Sequence, residues 1–163
     1  MKTLNCLALC TTLAAALLAA SAPRPQVGVH RDLVDTVMSV HQFDTFLMLV
    51  RDADLTFNLK GSGPFTVFAP TNEAFENMPA GMLERIHGSK PRLRRFVLHH
   101  VVRGSWTAEQ AVRAHGLVAL DGSTIPTRNM NGRGMIGSGH FALTNVRTSN
   151  GMLHGIDTVV IPK

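Results

Sequence analysis

Eight histidines in 163 residues are the first feature with chemical reach. An imidazole can hold a metal, move a proton or meet an anion, and spacing decides which of these it is suited to. His99 and His100 are adjacent, so they point to different sides of a helix, and no pair falls at the i, i+4 interval that sets two rings on one helical face. Zinc binding by His100, His140 and His154 would require three distant segments to converge, and the reading assigns no metal and no cofactor. A second cluster is cationic: Lys90, Arg92, Arg94 and Arg95 lie close together, and Arg103 extends the series. At about 3.6 residues per turn, Leu93, Phe96, Val97, His100 and Val101 share one arc, and Arg92, Arg95, His99 and Arg103 share the next. His100 is therefore expected in the core. Arg92, Arg95, His99 and Arg103 become the candidate partner-binding face, open to an acidic polysaccharide, a lipid headgroup or plain solvation.

Asp157 is the third feature, a carboxylate set in an otherwise apolar, β-branched run. A buried carboxylate costs several kcal/mol unless hydrogen-bonded, so Asp157 should find a donor, and Thr71 is one candidate. Thr71, His100 and Asp157 are thus read as a structural polar core. No catalytic residue is assigned. The chain carries no Gly-x-Ser-x-Gly elbow, phosphate loop or dinucleotide fingerprint; Gly132-Arg133-Gly134 and Gly137-Ser138-Gly139 read as hairpin glycines, because no helix with a lysine follows them.

The elements that would position these residues follow from periodicity. Asp32 can cap a helix with Leu33, Val34, Val37 and Met38 at helical spacing, and a second helix carries Phe43, Phe46, Leu47 and Val50 on one face. Phe65 to Ala69 alternates as a strand apolar on both faces, with Phe65, Val67 and Ala69 on one side and Thr66 and Phe68 on the other. Pro70-Thr71-Asn72 turns into a short helix through Phe75. A helix is expected from Pro91 toward Val102, a helical piece over 107–114, a hairpin around Asp121-Gly122, and a closing strand over Ile156–Ile161 launched by Asn150-Gly151. Helices early and strands late argue for α+β with a mixed or antiparallel sheet.

The first residues bear on the compartment. Lys2, the apolar run Leu4 to Ala20 and the small residues Ala20-Ser21-Ala22 form a signal-peptide pattern, and the 17-residue run is short of the roughly 20 residues that span a bilayer. The expected organisation is a signal peptide over 1–22, an extended lead-in over 23–28 and a single domain over 29–163. Both cysteines, Cys6 and Cys10, fall in the segment to be removed, so the exported domain would rest on its core without disulfides. Lys and Arg number 16 against 11 Asp and Glu, a net charge of +5 that suits anionic partners or solubility; nucleic acid is not an expected partner outside the cytoplasm.

Three segments carry a resemblance. Gly63-Pro64-Phe65-Thr66-Val67-Phe68-Ala69-Pro70-Thr71-Asn72-Glu73-Ala74-Phe75 resembles the first signature block of fasciclin domains, and Asn150-Gly151-Met152-Leu153-His154-Gly155-Ile156-Asp157-Thr158-Val159-Val160-Ile161-Pro162 resembles the second. Leu98-His99-His100-Val101-Val102-Arg103-Gly104 is similar to the passage between them. The resemblance implies a wedge-shaped β-sandwich with helices packed around it, secreted or surface-displayed, serving adhesion or matrix contact. With the signal-like first residues and the basic stripe, the expectation is a non-enzymatic binding module, secreted, periplasmic or on the cell surface, that contacts a protein, an acidic polysaccharide or an envelope surface. In that family the dipeptide at 99–100 is usually Tyr-His and has been tied to adhesion; here His99 stands in place of the tyrosine. The alternative is a periplasmic small-ligand or metal-binding protein on the same fold, with a hydrolase third.

Overall fold

The computed structural model describes residues 31–130 and 132–162. The expected signal peptide over 1–22 and lead-in over 23–28 lie outside them.

Local chemistry sets the helical first half. Asp32 caps α1 (Leu33–Met38), its carboxylate accepting the Asp35 N–H at 2.8 Å. A 3-10 turn (His41–Phe43) leads into α2 (Asp44–Asp52), which buries Phe46, Leu47, Leu49 and Val50, and α3 (Thr56–Lys60) follows. Strand β1 (Phe65–Pro70) comes next, then α4 (Asn72–Glu76), capped by the Thr71 hydroxyl on the Ala74 N–H. Helix α5 (Met82–His87) precedes α6 (Lys90–His99). The expected helix toward Val102 stops at His99, because the β-branched Val101 and Val102 open β2 (Val101–Arg103), which pairs with β1.

The second half is mostly sheet. Helix α7 (Ala108–Arg113) is held by a reciprocal cap in which Thr107 and Gln110 each accept the other's backbone N–H. Strands β3 (Gly116–Val118), β4 (Thr124–Met130), β5 (Arg133–Ile136), β6 (Gly139–Thr148) and β7 (Gly151–Ile156) complete a seven-stranded sheet of order β2-β1-β7-β6-β5-β4-β3. All neighbouring strands run antiparallel except β1 and β7. The sheet curls until its first and last strands meet: Val102 bridges to Ala119, and the Leu120 N–H donates to the Val101 carbonyl at 2.8 Å.

Curling creates two cores, and β1 divides them as its alternation predicts. Val67 and Ala69 join Phe43, Phe46, Leu49, Phe96 and Leu153 beneath the helices, while Phe68 joins Val102, Ile125, Ile136 and Ile156 inside the curled sheet. Helix α7 packs onto the inner core through Ala111, whose carbonyl accepts the buried Thr127 hydroxyl at 2.6 Å. Gly155 allows the Phe43 ring to press on the sheet, since a Cβ there would stand 2.9 Å from it.

The closing strand departs from its expected span. It runs over Gly151–Ile156 rather than Ile156–Ile161, because Asn150 starts it at once. The Asn150 side chain accepts the Leu33 N–H at 2.9 Å and donates to the Leu59 carbonyl at 2.7 Å and the Gly61 carbonyl at 3.2 Å, tying α1 and the end of α3 to the foot of β7. Val159 and Val160 beyond the strand are buried as irregular chain.

Candidate functional site

Helix α6 buries Leu93, Phe96 and Val97 and turns Arg92, Arg94 and Arg95 outward. Lys90 pairs with Asp54, holding that carboxyl below its ordinary range, with Arg94 adding a smaller pull. Lys90, Pro91, Arg94 and Leu98 line an open depression of about 590 Å³ that ends at Arg95 and Asp121. Among the described residues, neither Arg92 nor Arg94 has an ion-pair or hydrogen-bond partner. Arg95 does not share that freedom, because its Nε stands 3.6 Å from Asp121 Oδ2. Arg103 is exposed on β2, but it lines a different depression, beside Trp106 and Leu117.

The expected four-residue face is therefore not continuous, and His99 is the correction. Its side chain is only 4% exposed and turns under the β3–β4 turn instead of joining the arginines. Helical periodicity stops describing it where the last turn of α6 meets another segment. There the Ser123 hydroxyl and backbone N–H both donate to Asp121 Oδ1, the latter at 3.1 Å, and His99 Nδ1 lies 2.5 Å from the Ser123 Oγ. Burial pushes the Asp121 carboxyl up, but the two Ser123 donors and His99 outweigh it and hold the group below its usual range. Asp121 Oδ2 is buried with no hydrogen bond of its own; His99 Nδ1 stands 3.3 Å from it and Arg95 Nε 3.6 Å.

This trio holds a serine, a histidine and a carboxylate, yet its wiring is structural. In a nucleophilic relay the imidazole stands between hydroxyl and carboxylate, whereas here the hydroxyl itself donates to the carboxylate and links it to the ring. In the sequence Asp121-Gly122 signals only a hairpin. Nothing in the spacing joins Asp121 to a histidine 22 positions earlier.

His100 is buried as its arc predicts, and Nδ1–H donates to the Phe96 carbonyl at 2.9 Å while Nε2 faces the Val160 N–H at 3.4 Å. One nitrogen donates and the other accepts, which describes a neutral ring. Burial depresses its pKa to about 4, with the Phe96 carbonyl opposing. His154 repeats the pattern: Nε2 meets the Trp106 carbonyl at 2.8 Å, Nδ1 accepts the Asn145 N–H at 3.2 Å, the ring stacks on Phe68, and burial lowers its pKa. His140 lies elsewhere, on β6. Among the described residues no three His, Cys, Asp or Glu side chains converge to hold a metal.

Asp157 also corrects its expectation. Its side chain is 47% exposed rather than buried, since β7 has ended one residue earlier. Its Oδ1 accepts the His140 N–H at 2.7 Å and the Thr158 hydroxyl at 3.0 Å, while Thr71 is occupied as the cap of α4.

The fasciclin-domain family model matches residues 41–162. The chain belongs to the fasciclin-domain family. Its fold matches a FAS1 domain pair from the insect cell adhesion molecule Fasciclin I with a TM-score of 0.67 at 14% identity, over 82% of this chain and 51% of that one. Protein sll1483 of Synechocystis sp. is 35% identical over 132 residues, which cover 80% of this chain and 73% of the relative. Porcine transforming growth factor-beta-induced protein ig-h3 is 33% identical over 74% of this chain and 18% of its own length. Human periostin is 31% identical over 84% and 16% respectively. The chain thus spans most of the cyanobacterial protein and less than a fifth of either animal one.

The two signature blocks of this fasciclin domain stand side by side. Strands β1 and β7 pair in parallel with Val67 opposite Leu153 and Phe68 opposite His154, so segments far apart in sequence form the seam between the two cores. The third segment is the passage from α6 through His99 and His100 into β2.

Proposed function

We propose that this fasciclin domain is an exported, non-enzymatic binding module that contacts an acidic polysaccharide of the cell envelope or extracellular matrix through the outer face of α6. The observation that carries the proposal is that α6 presents Arg92 and Arg94, both exposed and without ion-pair or hydrogen-bond partners among the described residues, with Arg94 lining an open depression. Arginine suits this work because its planar fork meets a carboxylate or sulfate through two parallel hydrogen bonds. An insect cell adhesion molecule shares the fold, and the signal-like first residues supply export. Structural duties are met elsewhere: His99, His100 and His154 are each engaged inside the fold. The surface assignment is accordingly revised to Arg92 and Arg94, with Arg95 committed to Asp121.

The test is retention of exported protein, its intact mass beginning at Pro23, on an immobilised acidic polysaccharide while salt is raised. Exposed charges are screened over about 10 Å at 0.1 M salt and about 3 Å at 1 M, so retention should collapse across that range. Retention indifferent to salt would contradict the reading.

A further inference from the structure

On another part of the surface, α7, the start of β5 and the start of β6 enclose an open groove of about 540 Å³, within the roughly 300–1,000 Å³ of small-molecule sites. Arg113, from the last turn of α7, and Arg133, at the start of β5, both line it. Among the described residues neither has an ion-pair or hydrogen-bond partner. Lys60 and Lys90, by contrast, are paired with aspartates.

The same groove holds the Asp157–His140 pair. The His140 N–H and the Thr158 hydroxyl fix one oxygen of Asp157, and the other stands 3.5 Å from His140 Nδ1. Val112, Gly134 and Phe141 line the groove as well. A Cβ on Gly134 would fall 2.8 Å from Val112 and 2.9 Å from Phe141, so only glycine keeps these apolar groups in close approach there.

Guanidinium groups, an acidic acceptor and an apolar floor in one groove select among ligands. The carboxylates of Asp157 and Glu109 also line the groove and offset its two guanidinium charges, so a dianionic phosphate is disfavoured more than a monoanion, and a neutral sugar would leave both arginines unanswered. A sugar bearing one carboxylate answers every part. We propose that this groove binds a uronic acid unit, with Arg113 and Arg133 on its carboxylate, Asp157 accepting ring hydroxyls, and Val112 and Phe141 beneath its C–H face. The site goes beyond the α6 reading and does not rest on it.

Calorimetric titration of the exported chain with trigalacturonate, against neutral maltotriose, tests it. Saturable binding of the uronate alone is expected, weakened about tenfold or more in Arg113→Gln/Arg133→Gln at unchanged melting temperature, and unaltered in Arg92→Glu/Arg94→Glu. In the unsubstituted protein, the amide resonances of Gly134 and Thr144 should shift on titration, a readout that needs no variant. Absent uronate binding, equal binding of maltotriose, indifference to the groove substitutions, unshifted groove amides, or loss only in the α6 variant would each overturn the proposal. Failure of the α6 variant to lose polysaccharide retention would contradict the earlier reading alone.

Discussion

His100 and His154 show how a polar side chain becomes part of an apolar core. Each ring donates from one nitrogen to a backbone carbonyl and accepts a backbone N–H on the other, so protonation would break an accepted bond and place a charge among phenylalanines. The cost appears in the pH dependence of stability. His100 titrates near 6.5 when unfolded and at about 4 when folded. Its contribution is therefore complete above pH 6.5 and is lost as pH falls toward 4, at up to about 1.4 kcal/mol per pH unit and roughly 3 kcal/mol in all. His154, shifted in the same direction, steepens the loss. Asp121, held below its usual range, gives way only at lower pH. Urea unfolding between pH 7 and 4.5 should show this decline, and His100→Gln should flatten it; an unchanged slope in the variant would refute the neutral-ring account.

At the scale of elements, the His99–Ser123–Asp121 cluster fastens the C-terminal end of α6 to the β3–β4 turn, next to the point where β2 and β3 close the sheet. His99→Ala should cost about 1–3 kcal/mol by leaving buried partners unsatisfied, and should speed hydrogen exchange at Ala119 and Leu120. Because His99 is buried, polysaccharide retention should be unaltered; a loss of retention at full stability would return His99 to the binding face. Helical spacing placed Leu93, Phe96, Val97 and His100 correctly, since the core lies along one side of α6 for most of its length. It misplaced His99 because the sheet's return brings a second segment over the adjacent side, and periodicity carries no information about that. Asp157 departs from its expectation for a related reason: the apolar run around it has the pattern of a strand, whereas Val159 and Val160 are buried as irregular chain beyond β7.

For the whole molecule, helices before strands correctly indicated α+β, and the two-faced apolar character of β1 anticipated a strand covered on both sides. Neither pattern reveals that β1 and β7 pair in parallel, or that the sheet curls until β2 meets β3; those are properties of long-range register. The division of labour that results is simple. His99, His100 and His154 are each engaged in hydrogen bonds inside the fold, and Arg92, Arg94, Arg113 and Arg133 remain on the surface without ion-pair or hydrogen-bond partners among the described residues. The claim that the outer face of α6 is the polymer-binding surface is tested most directly by comparing retention of the unaltered chain and Arg92→Glu/Arg94→Glu at low salt on dextran sulfate, an acidic polysaccharide with no uronic acid unit for the groove beside α7. Both substituted residues are exposed and off the core, so the variant should melt within about 0.5 kcal/mol of the original. Retention should be abolished in the folded variant. Retention equal to that of the unaltered chain would contradict the account and leave α6 a solvated helix.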